Sequence, residues 1–354
     1  MRITFVLPHA SLAGGIRVVA IYAERLQRRG HNVTVISLPK PPLTLKQRVK
    51  IFFKEGRWPG IEKDPSHLDG LNFEHRILKK YRPVVNADVP DGDAVIATWW
   101  ETAEWVNSLQ SSKGKKIYFV QGHEILHGFL VERVKATYLL PLHKVTVSCW
   151  LANIMKNEYG DVNVDLVPNS VDFNFFNDTA MELRAPPTIG FVYSTNHFKG
   201  CDIVIEALNR VRVNIPTLKI KAFGSCSLSN ILPLPENTEF YFQPTQEEIR
   251  NLYSSCDFWL FSSRAEGFGL PILEAMACRT PVIATRAGAA PELIGKGGGL
   301  LLDDWSVEGM SDTIVKALNM SPEDWRAMSC RAREIATGYS WDDATLLFEK
   351  GLVS

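Results

Sequence analysis

The chain has 354 residues, of which 45 % are hydrophobic and 22 % charged. That balance excludes a disordered chain, a collagen and a coiled-coil rod, and a length beyond about 250–300 residues favours two domains over one core. The 39 Lys and Arg residues against 39 Asp and Glu leave no net charge, which argues against a general nucleic-acid binder.

The six cysteines, Cys149, Cys201, Cys226, Cys256, Cys278 and Cys330, form no C-x-x-C pair. They are expected to be buried thiols of a reducing compartment. No apolar run reaches the roughly 18 residues of a membrane span. The apolar start before Pro8 is too short for a signal peptide and suits a first strand. A cytoplasmic protein is expected.

The spacing predicts a strand over 3–7, a loop over 8–15 ending in Gly14-Gly15, and a helix on which Ile16, Val19, Ala20, Ala23 and Leu26 share one face. Gly30 closes that helix, and 33–36 is the next strand. This βαβ unit predicts a parallel sheet. Further strands are expected over 93–98, 116–120, 144–147 and 162–167. Residues 173–186, rich in Asn and Asp and ending at Pro186-Pro187, suit an interdomain linker. The alternation restarts with strands over 188–193, 218–223, 239–242, 258–262, 281–284 and 299–302. Helices are predicted over 201–213, 247–255, 272–278, 307–318, 322–337 and 341–351. Ser340 and Asp343 suit a capping box for the last one. The fold class is thus α/β, with two doubly wound, Rossmann-like domains facing across a cleft. The N-terminal domain spans 1–172 and takes back the helix 340–354; the C-terminal domain spans 187–339.

The segment from Phe258 to Val282 carries the densest chemistry. A strand enters a loop, Gly267 and Gly269 allow close backbone approach, and Pro271 opens a helix. The N–H groups at that helix start carry roughly +0.5 charge and suit a phosphate. Glu266 in the loop and Glu274 one turn into the helix are acceptors for hydroxyl-rich ligands.

These residues, E-G-F-G-L-P-I-L-E-A-M-A, with T-P-V-I-A-T at 280–285 and P-E-L-I at 291–294, resemble the retaining GT-B nucleotide-sugar glycosyltransferases of glycosyltransferase family 4 (glycosyl transferases group 1). The resemblance is strongest over 188–300 and weaker over 1–170. It implies that Glu274 holds the ribose, that Glu266 with Gly267, Phe268 and Gly269 meets the donor sugar, and that the N–H of Leu270 meets the pyrophosphate. A second phosphate element runs from Gly190 to Gly200, where Lys199 is placed to neutralise the diphosphate as it leaves. The chain departs from the family just before it. Most relatives carry an arginine where this chain has Tyr193 and Ser194; these two are still expected at the donor, and Arg264 or His197 is expected to supply the cation.

The N-terminal half is less specific. Gly14-Gly15 is no G-x-G-x-x-G fingerprint, but the resemblance gives Gly15 a place beside the donor. It also puts His123, after the strand over 116–120, near the reacting carbon; Glu124 is the alternative polar contact. Trp99 and Trp100 follow a strand and could stack on an acceptor sugar, or pack in the core. Asp91-Gly92-Asp93 could bind a metal in another fold, but Pro90-Asp-Gly reads as a turn. No metal and no cofactor are expected. Residues 45–58 carry five basic residues and one acidic, with Leu45, Val49, Phe52 and Phe53 on one helical face. Such a helix could lie on anionic lipid.

The expected function is transfer of a hexose, glucose as first choice, from a UDP-sugar to a hydroxyl of a sugar or lipid-linked acceptor, with retention and without metal, in polysaccharide or glycolipid assembly. The expected location is cytoplasmic, with peripheral contact at the inner membrane face. The alternatives are a UDP-sugar 2-epimerase on the same fold and a non-enzymatic nucleotide-sugar binder.

Overall fold

The computed structural model describes residues 1–56, 65–126, 130–177 and 182–353. The chain falls into two compact units. The first comprises Met1–Thr146, Ile154–Leu166 and Thr345–Ser354; the second comprises Val147–Asn153 and Val167–Ala344. Part of the expected linker, 178–181, lies outside the described residues.

The first unit holds β1 (Arg2–His9), β2 (Asn32–Leu38), β3 (Glu74–Ile77), β4 (Ala94–Ala97), β5 (Lys115–Val120), β6 (His143–Thr146) and β7 (Val164–Leu166). They form one parallel sheet in the order β3-β2-β1-β4-β5-β6-β7. Ile3, Phe5, Val6 and Leu7 of β1 are all but fully buried, as expected for a sheet covered on both faces. Helix α1 (Gly14–Arg28) buries the predicted face, with Val18 and Tyr22 added to it. The strand order reverses between β1 and β4, so the loops after these two strands leave side by side. Open α/β sheets bind ligands at such a point.

Three elements of this unit carry little sequence signal. Strand β3, Glu-His-Arg-Ile, is a largely exposed edge strand and shows no apolar alternation. Helices α3 (Trp100–Asn107) and α4 (Val131–Tyr138) have eight residues each, too few for a clear 3.6 period. Helix α5 (Cys149–Tyr159) follows β6, with its first residues, 149–153, in the second unit and the rest in the first. Helix α2 (Leu45–Glu55) lies within the predicted basic segment. Arg57 and Trp58 of that segment lie outside the described residues.

The second unit repeats the architecture with β8 (Thr188–Val192), β9 (Lys219–Gly224), β10 (Glu239–Phe242), β11 (Phe258–Phe261), β12 (Val282–Ala284) and β13 (Gly299–Leu301). The sheet is parallel, in the order β10-β9-β8-β11-β12-β13. Its helices are α6 (Cys201–Asn214), α7 (Gln246–Ser254), α8 (Leu270–Ala277), α9 (Ala290–Ile294), α10 (Val307–Leu318) and α11 (Pro322–Thr337). Ile189, Phe191, Phe258 and Leu260 pack with Val204, Leu208 and Ile314 of α6 and α10. The alternate residue Trp259 meets Tyr253 and Phe223, with ring centroids 4.5 and 5.6 Å away. Asp257, fully buried before β11, accepts from the N–H of Thr188 at 2.7 Å and of Arg184 at 2.9 Å. Here the order reverses between β8 and β11.

The last helix, α12 (Trp341–Val353), is preceded by Ser340. The Ser340 Oγ accepts from the N–H of Asp342 at 3.1 Å and of Asp343 at 3.4 Å. Residues from Thr345 onward belong to the first unit. There Phe348 stacks on Tyr22 at 4.5 Å, and Glu349 pairs with Arg29 and His31 at 2.7 Å. The cysteines correct the sequence reading. Cys201, Cys256 and Cys278 are buried, but Cys149 and Cys330 are exposed and Cys226 is half-buried.

Candidate functional site

In the second unit the two loops singled out in the sequence leave the adjacent strands β8 and β11. Val192 ends β8, and a tight loop runs from Tyr193 to Asn196. A 3-10 turn follows over His197–Lys199, and Gly200 precedes α6. The loop is held by its own short side chains. Cys201 Sγ donates to the Val192 carbonyl and accepts from the Ser194 N–H, both at 3.2 Å. Ser194 Oγ accepts from the Asn196 N–H at 3.1 Å, and Asn196 Oδ1 from the Phe198 N–H at 3.0 Å.

Gly200 has φ +64°, and a Cβ there would lie 2.1 Å from the Ser262 carbonyl oxygen. Only glycine lets the two loops approach this closely. The loops are also tied directly. Ser262 Oγ donates to the Lys199 carbonyl, and the Arg264 N–H donates to the Phe198 carbonyl, both at 2.7 Å.

This junction brings Lys199 to Glu266. The Lys199 Nζ lies 2.7 Å from Glu266 Oε2, which also accepts from Ser263 Oγ at 3.0 Å. Lys199 keeps 40 % of its side-chain surface open and Glu266 keeps 21 %, so both remain accessible to a ligand. Beyond Glu266, the Gly267 carbonyl accepts from Ser148 Oγ at 2.8 Å and the Phe268 carbonyl from the Ala289 N–H at 2.9 Å. Gly269, with φ +102°, caps α8, and Leu270 and Pro271 begin it. Phe268 is buried, so only the backbone of this stretch can serve a ligand.

Glu274 is buried in α8, where Oε2 accepts from the Tyr253 hydroxyl at 2.9 Å. Tyr193 is buried as well. Its hydroxyl donates to the Leu232 carbonyl at 2.9 Å and accepts from the Ser229 N–H at 3.0 Å. The Tyr193 ring therefore packs inward, and its hydroxyl ties down the loop after β9.

Arg264 is engaged too. Its guanidinium forms a two-pronged pair with Asp202 at 2.6 and 2.7 Å and donates to the His197 carbonyl at 2.7 Å. It also lies 4.7 Å from the Trp305 ring centroid. The strong pair holds the Asp202 carboxyl below its usual range. Arg264 is thus spent on protein groups, which corrects the expectation that it replaces the missing cation. The His197 ring packs beside Phe198, with centroids 6.1 Å apart.

The first unit places its candidates around its own switch point. Gly15 opens α1 after β1, and a Cβ there would lie 3.4 Å from the Gln121 amide. The Gln121 Oε1 is buried and has no hydrogen-bond partner among the described residues. Trp99 and Trp100 start α3 after β4. Trp100 is buried under Arg133, whose guanidinium carbon lies 5.0 Å from the ring centroid. Its face is covered, and this corrects the idea of sugar stacking for Trp100; Trp99 is half-buried.

His123 Nε2 lies 2.8 Å from the Tyr159 hydroxyl, and burial lowers the imidazole pKa. Its neighbour Glu124 is buried. Glu124 Oε2 accepts from the Trp100 N–H at 2.9 Å and the Tyr118 hydroxyl at 3.4 Å, while its N–H donates to the Tyr138 hydroxyl. Burial pushes its carboxyl up to about 8. Asp91 pairs with Lys113 at 2.8 Å, and Asp93 accepts from the Arg2 N–H at 2.6 Å, so both carboxylates are engaged by protein groups.

Sequence reasoning missed Asp202, Tyr253, Ser262 and Ser263. The two serines were visible directly after β11. Tyr253 had no signal, because its link to Glu274 arises from the packing of α7 on α8.

Residues 180–335 match the family model of glycosyl transferases group 1. The D-inositol 3-phosphate glycosyltransferase of Segniliparus rotundus is 29 % identical over 199 residues, 51 % of this chain and 44 % of that protein. The chain spans about half the length of the curated relatives it matches. Two solved structures align along the whole chain. HepE of Anabaena with UDP gives a TM-score of 0.76 at 16 % identity, covering 100 % of both chains. Sucrose-phosphate synthase of Thermosynechococcus elongatus gives 0.74 at 17 %, covering 99 % of this chain and 98 % of the other.

The fold is GT-B. The family match spans the stretch from before β8 into α11, so Lys199, Glu266 and Glu274 all fall inside it.

Proposed function

We propose that the protein is a glycosyltransferase that moves a hexose from a UDP-sugar to a hydroxyl acceptor with retention of configuration. The observation that carries this reading is the Lys199–Glu266 pair at 2.7 Å, set beside the start of α8 inside the matched segment. The pair offers the two functions the reaction needs at one place. Lys199 would turn to the diphosphate and stabilise the charge that builds as it leaves. Glu266, freed from the lysine, would accept hydroxyls of the donor sugar. Backbone N–H groups at the start of α8 would take the pyrophosphate, and Glu274 the ribose.

In this reading the glycosidic bond to phosphate breaks as the acceptor oxygen attacks the same face. The departing phosphate oxygen takes the acceptor proton. The helix start and Lys199 would do the work of a metal. UDP and glucose are the donor parts we favour; HepE, which shares the fold, was solved with UDP and with UDP-glucose. The named relatives include glycosyltransferases acting on inositol phosphate and a mannosyltransferase of O-antigen chains, in keeping with an acceptor in glycolipid or polysaccharide assembly. Helix α2, with Phe53 81 % and Leu45 74 % exposed, would rest on an anionic membrane surface. Among the described residues no helix is long and apolar enough to cross a membrane. The test is nucleotide release from UDP-, GDP- and ADP-sugars, with and without EDTA.

A further inference from the structure

We infer that Arg264 and Asp202 form a positioning clamp that sets Lys199 for the donor diphosphate, so that Arg264 acts through Lys199 and touches no phosphate itself. This deepens the nucleotide-sugar reading and rests on it. Four contacts meet at Arg264. Its side chain grips Asp202 in the first turn of α6 with two nitrogens, at 2.6 and 2.7 Å. One of those nitrogens also donates to the His197 carbonyl, and the backbone N–H of Arg264 donates to the Phe198 carbonyl. The Trp305 ring packs against the guanidinium.

The held segment is the 3-10 turn His197–Lys199. Arg264 and Ser262 between them bind the carbonyls of His197, Phe198 and Lys199, all three residues of that turn. The bond from Arg264 to Asp202 fixes the far side, where the turn passes through Gly200 into α6. The turn's N–H groups are held locally, those of Lys199 and Gly200 by the Asn196 and His197 carbonyls and that of Phe198 by Asn196 Oδ1, while its three carbonyls are bound from the β11 loop. Arg264 lies two residues from Glu266, so one loop carries both the carboxylate and the grip on the lysine that meets it. An arginine suits this task because its planar fork can hold Asp202 and a carbonyl together, which an ammonium cannot do with the same geometry.

The only side-chain carboxylate contacting the guanidinium, among the described residues, is Asp202, and the Arg264 side chain is 15 % exposed. An arginine so engaged must first break the two-pronged pair to reach a phosphate. Positioning leaves that pair intact, and only the single, more exposed Lys199–Glu266 contact has to open.

The experiment is a double-mutant cycle on UDP binding by the full chain, measured by calorimetry, with UDP as the probe. Lys199→Ala should weaken UDP binding about tenfold. Arg264→Ala, and separately Asp202→Asn, should weaken it several-fold in the native background and less than about twofold in the Lys199→Ala background. Arg264→Lys should restore only part of the loss. Equal losses in both backgrounds would show that Arg264 contacts the nucleotide directly and would overturn the clamp. Unchanged UDP affinity in both Arg264→Ala and Asp202→Asn would also overturn it. If Arg264→Ala does not fold, Asp202→Asn, at a half-exposed site on the surface of α6, carries the cycle. If the unmodified protein binds neither UDP, GDP nor ADP, the nucleotide reading itself fails, and the clamp falls with it.

Discussion

Lys199 and Glu266 are 67 residues apart in the chain, yet their charged atoms stand 2.7 Å from each other. The strand order brings them together, because β8 and β11 are neighbours and both loops leave from the same end of the sheet. An ion pair this exposed adds only about 0–1 kcal/mol to stability. Lys199→Ala and Glu266→Ala should therefore leave the melting temperature within a degree or two of the parent. Turnover should fall about a hundredfold in Glu266→Ala. Melting curves and initial rates on the same preparations check both. Unchanged turnover in Glu266→Ala would refute its assigned role.

Asp257 predicts the opposite pattern. Its buried carboxylate holds the N–H of Thr188 at the start of β8 and of Arg184 before it. Asp257→Ala leaves those donors unpaired and the Arg184 charge without its partner. The expected cost is about 3–5 kcal/mol, read as a large fall in the denaturation midpoint of the second unit. A loss below about 1 kcal/mol would show that other groups replace the carboxylate.

Glu124 makes stability depend on pH. Burial raises its folded pKa to about 8, above the ordinary glutamate value of 4.5, so the folded state holds a proton that the unfolded chain releases between these values. Its contribution is complete below about pH 4.5 and is lost as pH rises through 8, by at most about 1.4 kcal/mol per pH unit. Glu124→Gln keeps an acceptor for the Trp100 N–H but cannot ionise. The drop in stability from pH 5 to pH 8 should be smaller in that variant. An equal drop in both proteins would remove Glu124 as its source.

Helix α2 presents Leu45, Val49, Phe52 and Phe53 to solvent, beside Lys46 and Arg48. The full chain should bind anionic vesicles and not neutral ones, and binding should weaken with salt. Replacing Lys46 and Arg48 by Glu, or Phe53 by Ser, should abolish it. Vesicle binding that survives all three changes would exclude this helix as the contact.

Much of this was legible in the sequence. The apolar runs of β1 and β11 gave buried parallel strands, and Gly-Phe-Gly-Leu-Pro before α8 gave the loop-to-helix turn. Glu266 and Glu274 stood out in the loop-to-helix motif after β11, and Lys199 in the polar loop after β8. What was not legible depended on distant packing. Arg264 looked like a spare cation until Asp202, 62 residues earlier, was found beside it. Tyr193 and Trp100 looked like site residues because they follow strands, yet each is drawn inward. One is held by the Leu232 carbonyl and the other covered by Arg133. Edge strand β3 was invisible because an exposed polar segment has no period to read.

The most direct test of the whole account is nucleotide release from a panel of UDP-, GDP- and ADP-sugars, with and without EDTA, using the protein and its Glu266→Ala variant. The account predicts slow release of UDP from one UDP-sugar, unaffected by EDTA and strongly reduced in the variant. No release from any donor, together with no thermal shift from UDP, would contradict it.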